Sequence, residues 1–388
     1  MRYAIRGMAI TDARSRLLQL DQAVVVVDHI IRWMGDDADA EIPAGAVVVD
    51  GSGSTLVPAM VDSHSHITLP GGAHWIGHIS DPVGDLLEVA ERNGKRLIAG
   101  GVRWARDVGS PRGLDPRSGT ERAIALGVRD HWQGHRDRPY IRAAGTWIAK
   151  TGTLDGMIEV ADGDGLSAAV ETQLDEGADL IKLYLDGPDP DIAPFTSGEV
   201  AAAVATATAR GAKVAAHATR LAGTRSGVAG GVASIEHGVE IDAELAADMA
   251  ARGTYLVTTH SVWNSWQTFG DTTVIERFTD GADKITARKE AAYESTKAAH
   301  RAGVSIAGGS DFGGGSVRAG HLPWEVESLV ECGLEPWEAL AAVTWRGGDL
   351  LGEPTAGRVE REGPADFFLV HGNPLDDPAA LWRVWWTG

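Results

Sequence analysis

Between residues 58 and 352 the chain alternates short apolar runs with Ala-rich stretches of helical periodicity. Eight strand-like runs are legible: LVPAMVD, VRWARDVG, PYIRAAG, DLIKLYL, KVAAHA, VASIEHG, TYLVTTH and VSIAGGSD. Helix-like segments lie between them, among them DPVGDLLEVAERNGKRLIAGG, DGLSAAVETQLDEGA, TSGEVAAAVATATARGA, DAELAADMAARG and DKITARKEAAYESTKAAHRAG. Several open on Asp or Ser, which accept the unsatisfied N–H groups of a first turn. Several close on Gly, which takes the left-handed conformation that stops a helix. Apolar residues at i, i+3 and i+4 give each segment one face to lay on a sheet. Strands joined by helices run parallel and are covered on both faces. Eight such units over about 290 residues is the count of a (β/α)8 TIM barrel. A doubly wound sheet is the competing α/β layout, but no GxGxxG opens a helix after the first run.

The two ends differ from the middle. Residues 1–57 carry Val-rich runs broken by Gly, such as AVVVVDHIIRWMG and AGAVVVDGSGS. Residues 353–388 repeat that character in GRVEREGPADFFLVHGNPLDDPAALWRVWW, with a strand expected at Phe367 to Val370. Both ends are therefore expected to combine into one small β-sandwich domain, with 58–352 as the barrel.

A net charge of −19 without a basic stripe argues against nucleic acid as a partner. No apolar run approaches the ~20 residues of a membrane span. The opening MRYAIRGMAITDARSR lacks the apolar core of a secretory signal. The single cysteine, Cys332, cannot form an internal disulfide, so a reducing, cytoplasmic setting is expected. Its place in LVECGLEP, at the end of a helix, makes it a packed thiol.

In a barrel the chemistry belongs at the C-terminal ends of the strands. The first run ends in VDSHSH, and strand alternation puts His64 and His66 on one side. The fourth carries Lys182, the fifth ends in His217, the sixth in His237 and the eighth in Asp311. Alone, each has an ordinary reading as a satisfied polar residue, a turn former or a snorkelling lysine. Together they form a ligand set: imidazole and carboxylate bind zinc and similar ions. Lys182 is the odd member, because an ammonium repels a cation. A lysine in an apolar strand, however, has a lowered pKa. It can then take up CO2 as a carbamate, a carboxylate-like bridge between two ions.

The series HxH, Lys, His, His, Asp in this order resembles the amidohydrolase superfamily, and the resemblance covers nearly the whole chain. WARDVG, IKLYLDG and CGLEPWEALAAVT are similar to the branch holding imidazolonepropionase-like hydrolases and prolidase-type, metal-dependent dipeptidases. The resemblance implies two divalent ions per chain, zinc first and manganese, cobalt or iron as alternatives. His64, His66, Lys182 and Asp311 would hold one, and Lys182, His217 and His237 the other. The implied reaction is hydrolysis of a C–N amide bond in a peptide-like, cyclic-amide or natural-product substrate by metal-activated water. Asp311 is expected to move the proton to the leaving nitrogen. Two alternatives remain open: a mononuclear enzyme acting on a cyclic amide or amidine, and a non-catalytic scaffold, which the complete ligand set disfavours. The resemblance also implies a homo-oligomer acting on a small molecule or peptide, with no nucleic-acid or membrane partner.

Substrate contacts are expected in the loops beyond the strands. Candidates are His74 and Trp75 in ITLPGGAHWIGH, Tyr184 on the face of Lys182, Trp263 with Trp266 in the loop after His260, and His321 in RAGHLPWE. Arg220, after His217, could clamp a carboxylate or pair with an acid on the outer helices. Trp104 and Trp147 are expected to pack the core. Thirteen tryptophans, several in these loops, point to an apolar or aromatic substrate. Thr219 stands where dipeptidase-type relatives carry Tyr, and KTGTLDG lacks their His. Both departures argue against ordinary dipeptidase activity.

Overall fold

The computed structural model describes residues 1–153, 156–189, 191–279 and 281–387. Both chain ends join one mixed sheet of seven strands. Its N-terminal members are β1 (Arg2–Ile10), β2 (Gln19–Val27), β3 (Ile30–Asp36), β4 (Val47–Asp50) and β5 (Ser54–Pro58). The middle of the chain adds β6 (Met60–Ser65), β7 (Val102–Asp107), a hairpin of β8 (Arg112–Asp115) with β9 (Thr120–Ala123), β10 (Tyr140–Ala143), β11 (Ile148–Lys150) and β12 (Ile158–Val160). There follow β13 (Leu180–Tyr184), β14 (Lys213–Ala218), β15 (Ser234–His237), β16 (Tyr255–Thr258) and β17 (Ile306–Gly308), and the C-terminal end supplies β18 (Phe367–His371) and β19 (Val384–Thr387).

The terminal sheet runs β19-β18-β5-β1-β2-β3, with β4 beside β1. The expected strand at Phe367 is β18, antiparallel to β5 with Phe368 opposite Val57. Strand alternation gives β18 two buried faces. Phe367 and Leu369 join Ile5, Met8, Val24 and Leu56 in the core of the terminal sheet. Phe368 and Val370 face the main core instead. The run LVPAMVD is therefore divided: Leu56 to Pro58 belong to β5 and Met60 to Asp62 to β6, with the chain crossing between sheets at Ala59.

The middle of the chain forms two parallel sheets, β10-β7-β6 and β12-β11-β13-β14-β15-β16-β17. Backbone hydrogen bonds link them at two places. The chain beyond β17 bridges to β6 through Ser65 and Phe312, and the Asp311 N–H donates to the His64 carbonyl at 2.8 Å. On the other side the Asp179 N–H donates to the Ala143 carbonyl at 2.9 Å. Helices connect the strands as the periodicity predicts. Helix Gly163–Asp175 is capped by the Asp162 carboxylate and buries Leu166, Ala169, Val170, Gln173 and Leu174, one stripe at i, i+3, i+4, i+7 and i+8. Helix Ala243–Arg252 is capped by Asp242 and ends on left-handed Gly253. Cys332 closes helix Leu322–Glu331 and is buried.

Candidate active site

The strand-end residues converge at one end of the parallel sheets. Ligand atoms of His64, His66 and Asp311 all lie within 4.8 Å of one another, and all three residues are buried. His66 Nε2 is 3.2 Å from Asp311 Oδ1, and His64 Nε2 is 3.5 Å from the same oxygen. Each ring is fixed from behind through its other nitrogen. His64 Nδ1 donates to Glu236 Oε2 at 2.7 Å, and His66 Nδ1 donates to the Gly109 carbonyl at 2.7 Å. Glu236 is in turn held by both carboxylate oxygens on Arg106 Nη2, at 2.7 and 2.8 Å, with all partners buried. Such bracing sets the tautomer, turns Nε2 toward the site and raises ligand basicity.

The stretch GGSDFGGG wraps these rings because it has almost no side chains. A Cβ at Gly309 would sit 2.4 Å from His64 Cβ, and one at Gly314 would sit 2.2 Å from His66 Cδ2. Asp311 and His237 adopt left-handed backbone at φ +49° and +71°, unusual for non-glycine residues and frequent where function sets the geometry. At His237 this undoes strand alternation. Glu236 and His237 are neighbours, yet both face His64, the His237 ring lying 4.7 Å from it.

His217 and His237 extend the cluster, their rings 4.5 Å apart, and Tyr184 stacks on His217 at 3.9 Å. His217 Nε2 is held at 3.1 Å by Asp186 Oδ2, and His237 Nδ1 lies 2.8 Å from the Thr259 hydroxyl. Asp186 also accepts from the Thr219 N–H and hydroxyl. Burial pushes its carboxyl up, but the hydrogen bonds from His217 and Thr219 outweigh burial and hold it at about 2. Lys182 is 1% exposed, and its Nζ has no hydrogen-bond partner among the described residues. Burial brings its pKa down to about 8. Burial, with Lys182 next, also pushes His64 well below the usual histidine range; His237 is lowered by burial and then by His217 and Lys182. Both imidazoles are thus neutral at pH 7, the form that binds metals. The neutral imidazoles and the converging carboxylate fit a divalent cation, and the orphaned Lys182 would fit one once converted to a carbamate.

Above this floor lies a cavity of about 640 Å³. Trp75, Tyr184 and Trp263 line it, with Trp266 and Met157. The indoles of Trp263 and Trp266 meet edge to face at 5.1 Å, on helix His260–Thr272 where a loop was expected. Trp147 also lines the cavity, its ring 5.3 Å from His66, so it faces the site as well as the core. Three expected contacts are not brought to the cavity. Arg220 turns outward to Glu240 at 3.1 Å, the pairing its sequence left open. His74 is exposed just before the 3-10 turn Trp75–Ser80, of which Trp75, Ile76, Gly77, Ile79 and Ser80 line the cavity. His321 is exposed, packed on Trp382 at 5.4 Å and bonded to the Arg318 carbonyl. Of KTGTLDG, residues 154 and 155 lie outside the described residues.

Sequence reading missed Arg106, Asp186, Glu236, Thr259 and Arg288. Glu236 was adjacent to a marked histidine, and its signal was a carboxylate inside an apolar strand.

With this geometry in place, the comparisons with known proteins decide the family. The Amidohydrolase family model matches residues 55–386. The chain belongs to the amidohydrolase family. That family comprises metal-dependent hydrolases acting on carbon–nitrogen bonds. Ochratoxinase from Aspergillus niger is 26% identical, over 94% of this chain and 82% of that protein. Imidazolonepropionase from Nocardia farcinica matches a part only, at 28% identity over 29% of this chain and 24% of that one. A crystal structure of an Xaa-Pro dipeptidase with bound methionine shares the fold, with a TM-score of 0.84 at 24% identity, covering 99% of this chain and 97% of that one. No helix among the described residues is long and apolar enough to cross a membrane.

Proposed function

We propose that this amidohydrolase cleaves an amide C–N bond in a substrate with a sizeable apolar part. The observation that carries the reading is the convergence of His64, His66 and Asp311 under an aromatic-walled cavity of about 640 Å³. In this reading the strands β6, β7, β10 and β13 to β17 form a single eight-stranded barrel. Residues 1–57 and 353–388 form the accompanying β unit.

His64, His66 and Asp311 would hold a divalent ion, zinc being the first expectation. Lys182, as a carbamate, would join it to a second ion on His217 and His237. A bound ion lowers the pKa of water and polarises the amide carbonyl. The protein's own groups do the rest. Asp311 takes a proton from the attacking water and delivers it to the leaving nitrogen. Glu236 and Arg106 keep His64 from rotating. Trp75, Trp147 and Trp263 exclude bulk water and seat the apolar part of the substrate. The kinship with ochratoxinase and an Xaa-Pro dipeptidase agrees with an amide as the bond attacked.

The Asp186 contact on His217 favours a second reading, a mononuclear enzyme in which His217 stays with Asp186. Metal analysis separates the two, at about two ions per chain or about one. The test of the main reading is hydrolysis of a panel of N-acyl amino acids, dipeptides and cyclic amides by zinc- or manganese-loaded protein. Turnover that disappears in Asp311→Asn with metal retained supports it. A metal-loaded protein inert across the panel, or an Asp311→Asn variant of full activity, overturns it.

A further inference from the structure

Lys182 and Arg288 are the lysine and arginine side chains that line the cavity. Lys182 belongs to the floor. Arg288, on helix Ala282–Ala302, belongs to the wall. Its Nη2 donates to the Thr219 hydroxyl at 2.7 Å, and its guanidinium lies over the Trp263 ring, 5.6 Å from the centroid. Its Nε is buried without a hydrogen-bond partner. Among the described residues no carboxylate approaches it within the 4.0 Å of an ion pair.

The acids nearby are committed elsewhere. Asp186 takes His217, the Thr219 hydroxyl and the Thr219 and Arg220 N–H groups. Glu240 takes the Arg220 guanidinium and the Leu221 N–H. A guanidinium does not shed its proton at neutral pH, and a partly buried one without a counter-ion is costly. Burial first, and the adjacent Arg220 next, press against the charge of Arg288, and the more distant Asp186 and Glu240 offset only part of this. Its planar fork is the side chain best shaped to take a carboxylate through two donors. Trp263 beneath it holds the plane in place.

We propose that Arg288 anchors a carboxylate carried by the substrate, so that the preferred substrates are amides with a free acid group. Resting on the amide-hydrolase reading above, this places the acid at the Arg288 wall and the apolar part against Trp75, Trp263 and Met157. The reacting amide then reaches the floor of His64, His66 and Asp311. Arg288 fills the role that the sequence offered to Arg220, from a helix about 70 residues further along the chain.

The probe pair is 3-phenylpropanoate and 3-phenylpropanol, titrated calorimetrically into the metal-loaded protein and again after chelation. Wild type is expected to bind the acid about tenfold or more tighter than the alcohol in both states. Arg288→Met should erase that preference and leave the alcohol affinity unchanged, which also shows that the variant is folded. Arg288→Lys should keep part of it. Equal binding of acid and alcohol by wild type, or a preference that survives in Arg288→Met, overturns the proposal. The hydrolysis reading fails separately. A protein that prefers the acid through Arg288 yet cleaves no amide sinks that reading and leaves the anchor standing. One that cleaves acid-bearing and neutral amides with equal kcat/KM does the reverse.

Discussion

His64 and His217 are both imidazoles at strand ends, and each is paired with a carboxylate, yet the pairings do opposite things. His64 gives its Nδ1 to Glu236, behind the site, and its Nε2 is left aimed at Asp311. His217 gives its Nε2 to Asp186, which itself lines the cavity. Glu236 is fully buried and already neutralised by Arg106, so it cannot follow a ligand. Asp186 is bound mostly to hydroxyl and backbone N–H groups of the next loop. One half of the proposed ligand set, around His64, is already oriented by its bracing. The other, around His217, would have to exchange a carboxylate for the proposed second ion.

The largest effect is expected at the oriented half. Asp311→Asn keeps the shape of the side chain and removes the proton carrier, so kcat should fall by up to about 10⁴-fold while His64 and His66 still retain metal. Steady-state kinetics with metal analysis on the same sample checks this. Near-normal kcat at full metal content would take Asp311 out of the chemistry.

Next is Glu236, where two substitutions separate charge from shape. Glu236→Ala leaves the Arg106 guanidinium buried and unpaired, a loss of about 3–5 kcal/mol in denaturant unfolding. Glu236→Gln keeps an acceptor for His64 and should fold, with metal affinity down about 10- to 100-fold. If Glu236→Gln binds metal as wild type does, the oriented half does not depend on its bracing.

At the other half the sign should reverse. Asp186→Asn weakens a charge-assisted hydrogen bond to His217, a contact worth about 1.5–3 kcal/mol, and should free that ring for a second ion. About tenfold tighter binding of the second equivalent is expected, read by competition with a chelating dye. Weaker binding would show that Asp186 attracts the ion more than it restrains the histidine.

The strand-end residues were legible because each is a polar residue in or at the end of an apolar run, and parallel strands joined by helices bring such ends to one side. The same logic located the cavity loops but not the direction of each side chain. Arg220 follows His217 by three residues, and only the structure shows Glu240 drawing it outward. Arg288 was illegible because it lies mid-helix in TARKEAAYES, where charges usually mark the solvated face. Glu236 was hidden by alternation, which assigns it the face opposite His237 until the left-handed φ at His237 is known. Strands from both ends pair in one seven-stranded sheet where a sandwich was expected, and the split of LVPAMVD at Ala59 follows from which sheet each half hydrogen-bonds.

The smallest effect sharpens the comparison within the second half. His237 leans on the Thr259 hydroxyl at 2.8 Å, a neutral partner, where His64 leans on a carboxylate. A neutral hydrogen bond contributes about 0.5–1.5 kcal/mol net, and charge roughly doubles that. Thr259→Val keeps the branched shape and removes the hydroxyl. Second-ion affinity should then drop by about two- to tenfold, less than the loss in Glu236→Gln. Unfolding stability should change by no more than about 1 kcal/mol, because a buried hydroxyl is exchanged for a methyl of similar size. A drop as large as that of Glu236→Gln would mean that the two histidines are braced alike, and that the asymmetry of the site lies in Asp186 alone.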